Sequence, residues 1–211
     1  MNKKRVLILF CLAIVVCSFI LLLVFRYNNH KANTKEVSIS EVNMKAVDDL
    51  IIGDEPPKLL YADKEKVIFD CQGVYVYDMQ NKILAKSFDT ASLVPDKHTR
   101  LNAFVTKDGK HIVFGFSKGI SGVWYGYSFK DDYVEKITEE EYKSFKEKMF
   151  VSTRLQDYDN ELYQKSSGII VNISDNEYVY LTFKDWKVST IKIVYVKDGK
   201  ETEYSVFDIK R

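Results

Sequence analysis

The sequence predicts a mainly β protein, with one N-terminal transmembrane helix followed by an antiparallel β domain. Three observations lead to this fold class. Residues 6–25 contain no charge and no proline. From Lys58 onward, β-branched and aromatic residues recur with period two and are interrupted by Asp, Asn and Gly turns. Within that region a plan of four short strands recurs three times, and one helical pattern interrupts it.

The apolar segment 6–25, VLILFCLAIVVCSFILLLVF, is long enough to cross a bilayer. At about 1.5 Å of rise per residue it covers roughly the 30 Å hydrocarbon core, whereas the apolar part of a cleavable signal is about 7 to 15 residues. The basic cluster 3–5 favours a cytoplasmic tail over 1–5 and an extracytoplasmic C-terminal part. A cleaved signal peptide and a lipoprotein are the alternatives, and neither fits well. No small-x-small cleavage site follows the segment. A lipoprotein would need a small residue before Cys17, where Val16 stands.

Composition limits the classes of partner and fold. Of the 31 Lys and Arg, four lie in the first 26 residues, so the remainder carries 27 basic against 30 acidic residues, near −3. This balance argues against nucleic acid or an anionic membrane surface as a partner, since both need concentrated positive charge. Cys71 is the one cysteine beyond the span, so an intramolecular disulfide is excluded there. The 14 Tyr and 13 Phe supply apolar area for a core instead.

Residues 26–57 are polar and end at two prolines, which predicts a tether between the span and a β domain over 58–211. The tether has room for one short helix. Ser38 and Glu41 have capping-box spacing, and an apolar stripe follows them. The stripe comprises Val42, Ala46, Val47 and Leu50.

The β domain contains three units of similar plan, at about 59–89, 103–138 and 169–209. Each reads as strand, turn, strand, loop, aromatic strand, polar turn, strand. Four antiparallel strands in about 40 residues are typical of a propeller blade. The alternative is three successive meanders in a sandwich or open sheet. Because a closed propeller has at least four blades, three units would stack differently or form a partial propeller whose open edge pairs with another chain.

One helix is predicted over 138–150, TEEEYKSFKEKMF. Thr138 and Glu141 have the spacing of a capping box, and the first turn is acidic. The apolar residues at helical spacing should cover a sheet face or edge, and 152–168 should be a surface loop. The apolar face consists of Tyr142, Phe145 and Met149.

The run PKLLYADKEKVIFDCQGVYVYDMQNKILAKSFD, residues 57–89, resembles a known extracytoplasmic module. Similar segments follow the membrane metallopeptidase domain in some BlaR/MecR-type proteins of Gram-positive bacteria. Those peptidases need an HExxH helix and several spans, and this chain carries neither motif, so no catalytic residue is carried over. The resemblance implies a membrane-tethered copy of a sensing or interaction module.

Metal and nucleophile chemistry find little support in the sequence. His30, His98 and His111 stand at no recognised ligand spacing, so solvated or rim positions are expected for them. Cys71 has no histidine nearby in sequence to lower the pKa of its thiol, and we expect it to pack beside Phe69 or lie in a turn.

Two loops resemble ligand loops without meeting their requirements. Residues 117–122, SKGISG, are too short and wrongly spaced for a phosphate-binding loop. Asp157, Asp159 and Glu161 alternate like the start of a calcium loop, but the sixth and twelfth positions hold Leu and Gly instead of the required Gly and Glu. No metal or cofactor is predicted.

Aromatic residues on alternate strand positions form the one candidate surface for a ligand or partner. Aromatics at such positions are more often core residues or members of cross-strand pairs. The candidates are Tyr75, Tyr77, Trp124, Tyr125 and Tyr127.

Together these patterns favour a non-enzymatic interaction or sensor module on the outer face of the cell membrane. The single span would anchor the protein in the membrane. The outer domain would bind another envelope protein, a small ligand or a second copy of the chain. Two alternatives remain: an envelope enzyme or accessory hydrolase subunit, and a structural or immunity-type protein that acts through the span itself.

Overall fold

A computed structural model of the chain describes residues 18, 20, 21, 39–53, 56–93, 101–116, 122–154 and 169–207. The chain divides into two compact units, Met1–Glu36 and Val37–Arg211. The described residues of the first unit are Ser18, Ile20 and Leu21, all helical. The predicted tail 1–5 and the rest of the predicted span 6–25 lie outside the described residues. Across the described ranges, no helix has the length and apolar character that crossing a bilayer requires.

The described part of the second unit contains three antiparallel sheets. In each sheet, strands that are consecutive in sequence pair with one another. The first sheet contains β1 (Lys58–Ala62), β2 (Lys66–Asp70), β3 (Val74–Asp78) and β4 (Ile83–Phe88). The second contains β5 (Leu101–Val105), β6 (His111–Phe116), β7 (Trp124–Ser128) and β8 (Tyr133–Ile137). The third contains β10 (Ile169–Ser174), β11 (Glu177–Thr182), β12 (Lys192–Lys197) and β13 (Lys200–Ser205), with the short β9 (Thr153–Arg154) paired to β10. The prediction of a mainly β fold with three four-stranded units is confirmed.

The second and third strands pair in the same register in all three sheets, with β10 taken as the first strand of the third sheet. In each sheet, the residue after the third strand donates its N–H to the carbonyl of the residue before the second strand. These bonds run from Met79 to Glu65 at 2.8 Å, from Phe129 to Lys110 at 3.1 Å and from Asp198 to Asn176 at 3.0 Å. The repeat read from the sequence is therefore also a repeat of backbone geometry.

The first sheet lies at the centre of the core, because both of its faces are buried. Alternate residues of β3 point to opposite faces, and four of its five residues are buried. One face packs on the third sheet, where Phe69, Tyr75 and Leu181 share a hydrophobic cluster. The other face packs on the second sheet, where Ile68 and Phe114 share another.

The predicted helix is confirmed as α1 (Glu139–Glu147). Thr138 caps it in a complete capping box with Glu141. Its apolar side packs on the outer face of the second sheet: the Tyr142 ring lies 5.8 Å from Phe104, and the Phe145 ring lies 5.0 Å from His111.

Residues 39–53, which we call the strap, belong to the folded unit and correct the predicted tether of 26–57. The strap contains a 3₁₀ helix, Met44–Asp49, capped by Asn43 instead of Ser38. Val47 is fully buried and Ile52 nearly so, both in the cluster between the first and third sheets. Burial of these two side chains fixes the segment to the domain, because apolar surface removed from water stabilises the packed state.

Candidate functional site

The structure places two of the predicted surface aromatics deep in the core. Tyr75 and Tyr77 are buried between the first and third sheets. The Tyr75 ring stacks on Phe69 and meets Phe207 edge-on, both at 5.1 Å between centroids. Both tyrosines are therefore packing residues and do not line an exposed face.

The other three predicted aromatics lie on β7 and point to opposite faces of the second sheet. Tyr127 is buried and Tyr125 packs against the same cluster, on the face toward the first sheet. Trp124 points the other way and stacks on Tyr142 of α1 at 5.4 Å. The structure therefore does not bring the five predicted residues together.

The histidines, the cysteine and the two loops considered in the sequence analysis either pack within the fold or lie outside the described ranges. Cys71 is buried in the cluster that contains Phe69 and forms no disulfide. His111 is half-buried against Phe145, which lowers the pKa of its imidazole through desolvation. In the described ranges no three His, Cys, Asp or Glu side chains are placed to hold a metal ion. His30, His98, the candidate calcium loop and all but Gly122 of 117–122 lie outside those ranges.

Corresponding turns of the three sheets lie at the same end of the unit, so the unit has two distinct ends. At the turn end, the β1–β2, β5–β6 and β10–β11 turns lie together: Lys64 of the first turn contacts Glu177 beside the third, and Tyr61 packs under Gly109 of the second. At the opposite end, which we call the entry end, the strap meets the last residues of β4 and the β11–β12 loop.

A carboxylate at the turn end joins the first and third sheets. Glu177 is nearly buried, and its two oxygens face Lys197 at 3.2 Å and Lys64 at 3.3 Å. The hydrogen bond from Lys197 and the charge of Lys64 hold the pKa of this carboxyl below its usual value, against the opposing effect of desolvation.

Two contacts at the turn end join the first and second sheets. Lys86 on β4 pairs with Asp132, which also accepts a hydrogen bond from the Tyr127 hydroxyl at 2.8 Å. The hydrogen bonds that Lys86 and Tyr127 donate to Asp132 lower the pKa of its carboxyl. Lys66 lies 4.7 Å from the centroid of the Phe129 ring, within the range of a cation–π contact. All of these groups have partners within the fold, which indicates a structural role.

The entry end carries the most exposed large aromatic side chain of the described residues, Trp186 in the β11–β12 loop. The side chain of Trp186 is 51% exposed and that of Ile51 on the strap is 66% exposed. The Trp186 carbonyl accepts a hydrogen bond from Ile52 N at 2.7 Å, and Val188 N donates to Leu50 O at 3.0 Å. These bonds and the bridge between Ile51 and Lys187 pair the strap with the loop, so Ile51 and Trp186 lie on adjacent segments of backbone. We call these two residues the entry-end pair.

The backbone that carries Trp186 is strained. Asp185 and Trp186 both have positive φ, at 53° and 51°. A left-handed conformation costs of order 1–2 kcal/mol per residue for an L-amino acid with a side chain. Positive φ also occurs at other turn residues, Gln72, Lys82, Asp132 and Asp198, so at Asp185 and Trp186 it reflects the geometry of a tight turn.

The sequence contains a signal for this site. A tryptophan stands in a turn between Lys184 and Lys187, where turns ordinarily carry small polar residues. This signal is weak, because a single aromatic residue in a turn stands beside many more aromatic residues on the strands.

Comparison with known proteins gives no identification: the chain has no significant match to a family model, a curated protein or a solved structure.

Proposed function

We propose that the chain is a membrane-anchored, extracytoplasmic interaction module without catalytic activity. Its contact surface is the entry-end pair, Ile51 and Trp186. The observation that carries the proposal is Trp186 itself: a tryptophan about half exposed to water, on a backbone that hydrogen bonds to the strap hold in place. Exposed tryptophans with fixed backbones are favoured as anchors in binding surfaces, since they bury large area at low entropic cost.

The location is supported by the sequence. The uncharged stretch 6–25 has the length of a membrane span and follows a basic cluster, which favours a cytoplasmic N-terminus. The resemblance of 57–89 to extracytoplasmic modules of BlaR/MecR-type proteins supports the same side of the membrane.

We also propose that the three sheets form a partial propeller. The shared strand register and the burial of both faces of the first sheet by its two neighbours support this arrangement over a two-layered sandwich. The strands that come first in each sheet also contact one another, β1 with β5 and with β10. Such a scaffold serves to present its ends to a partner.

The test is site-specific photocrosslinking of the full-length protein in its native membrane. A photoreactive aromatic residue replaces Trp186 in one variant and Ile83 in the other. Ile83 is a matched control because it is 55% exposed and follows the β3–β4 turn, at the opposite end of the fold.

We expect adducts, to protein or to lipid, from position 186 and few from position 83. Equal crosslinking from both positions, or none from 186, would refute the entry-end pair as the contact surface.

A further inference from the structure

We infer that the entry-end pair contacts the lipid headgroup region of the membrane in which the protein is anchored. The inference rests on the proposed function, because it names what the proposed contact surface binds. It commits to a bilayer and treats a protein at the same place as a competing outcome.

The chain enters the described part of the second unit at the entry end. Ser40 O accepts a hydrogen bond from Asp89 N at 2.8 Å, so the strap begins beside the end of β4, at the entry end. Residues 26–38 separate this point from the predicted span. These thirteen residues reach at most about 45 Å when fully extended, so their length limits how far the start of the strap can lie from the predicted span.

The chemistry of the β11–β12 loop suits a membrane interface. Trp186 stands between Lys184 and Lys187, and all residues of 184–187 are exposed. Tryptophan is enriched at the headgroup level because its ring is apolar and its N–H is a hydrogen-bond donor. Lysines on either side extend their ammonium groups toward lipid phosphates, and with Asp185 the loop still carries a net positive charge.

The loop is also prepared for insertion. Hydrogen bonds with the strap fix the backbone at residues 186 and 188, and the Trp186 ring lies 5.2 Å from Phe183. Because the loop is already ordered, contact with lipid requires little further loss of conformational entropy. Ile51 on the strap adds a second exposed apolar side chain at the same end.

The experiment measures quenching of tryptophan emission by brominated lipid. The full-length W124F variant, in which Trp186 is the remaining tryptophan, is reconstituted into phosphatidylcholine vesicles with or without bromine on the acyl-chain carbons nearest the headgroups. The control is W124F/W186F/I83W, which places an exposed tryptophan at the turn end. If W124F fails to fold, the wild-type protein and W186F are compared, and their difference gives the contribution of Trp186.

We expect brominated vesicles to remove most of the Trp186 emission and to leave the emission of the control variant, whose tryptophan stands at position 83, unchanged. Absence of quenching at position 186, or equal quenching at both positions, overturns the inference. If Trp186 is not quenched but the photoreactive residue at 186 captures a protein, the lipid contact fails and the interaction module stands. If position 186 neither is quenched nor crosslinks, both proposals fail.

Discussion

Gly109 in the β5–β6 turn allows the second sheet to approach the first. Its φ is +66°, and a Cβ at this position would lie 2.6 Å from Cζ and from the hydroxyl oxygen of Tyr61. The Tyr61 ring has little room to move, since it meets Phe150 edge-on at 5.1 Å and its hydroxyl donates a hydrogen bond to Asp63 at 2.9 Å. Burial and this hydrogen bond both raise the pKa of the Tyr61 hydroxyl.

We expect Gly109→Ala to destabilise the protein more than Gly199→Ala. Both glycines have positive φ, but a Cβ at Gly199 would meet no atom within 4 Å. Gly199→Ala should therefore cost about 1–2 kcal/mol for backbone conformation, and Gly109→Ala a further 1–3 kcal/mol or so for the clash with Tyr61. Urea denaturation of the full-length protein in detergent measures the difference. If both substitutions lowered the free energy of unfolding equally, the turn at Gly109 would be able to move away from Tyr61 at no cost.

Burial of individual aromatic residues could not be predicted from the sequence. The period-two pattern identified β3 and β7 as strands, and the structure confirms both. A strand with one buried face reveals its orientation by alternation, but both faces of β3 are covered, so Tyr75 and Tyr77 carry no sign of which sheet covers them. The packing of one sheet on another is a long-range property that local patterns do not contain.

At the scale of elements, strong local signals predicted the structure well. The capping box at Thr138 and Glu141 fixed the start of α1, and Asp-rich turns separated the strands. The apolar stripe from Val42 to Leu50 predicted a short helix in the strap, and the structure has a 3₁₀ helix there that is capped by Asn43. The packing of the strap on the domain was not predicted, because it depends on contacts between residues far apart in sequence. Tertiary contacts determine that Ile52 is buried in the core and that its neighbour Ile51 is exposed.

The strap provides a second prediction, since Ile51 and Ile52 are adjacent and chemically identical. Ile52 is 2% exposed and belongs to the core, so Ile52→Ala should lower the free energy of unfolding by about 2–5 kcal/mol. Ile51→Ala, at an exposed position, should change it by less than about 0.5 kcal/mol. Denaturation of both variants in detergent checks this. If neither substitution altered stability, residues 39–53 would behave as a tether and not as part of the domain.

At the scale of the whole molecule, the last strands of the first and third sheets are protected against pairing with another chain. On β4 the register shifts opposite Val76 and Tyr77, which leaves Ala85 as a bulge beside Lys86. On β13, Lys200, Glu201 and Glu203 are exposed. Bulges and charges on edge strands oppose intermolecular pairing, so self-association through these outer edges is disfavoured.

The carboxylate of Glu177 couples the first and third sheets, and its charge should make that coupling depend on pH. Lys197 and Lys64 hold the folded-state pKa of this carboxyl below the value of about 4.3 expected in the unfolded chain. A depressed folded-state pKa contributes stability that is present above the unfolded pKa and is lost as the pH falls through the folded pKa. Wild-type protein should therefore be more stable than Glu177→Gln at pH 7, and the difference should shrink as the solution is acidified below about pH 4.

Thermal unfolding of the full-length protein in detergent, at neutral pH and at successive acidic values, measures this difference. Glu203→Gln is the control, because it removes the same charge from an exposed pair with Lys192 that lies within one sheet. We expect the Glu203→Gln variant to follow the wild-type pH profile closely, since exposed pairs contribute little. A gap between wild type and Glu177→Gln that stayed constant with pH would assign Glu177 a packing role, and the ionic link between the sheets would then be discarded.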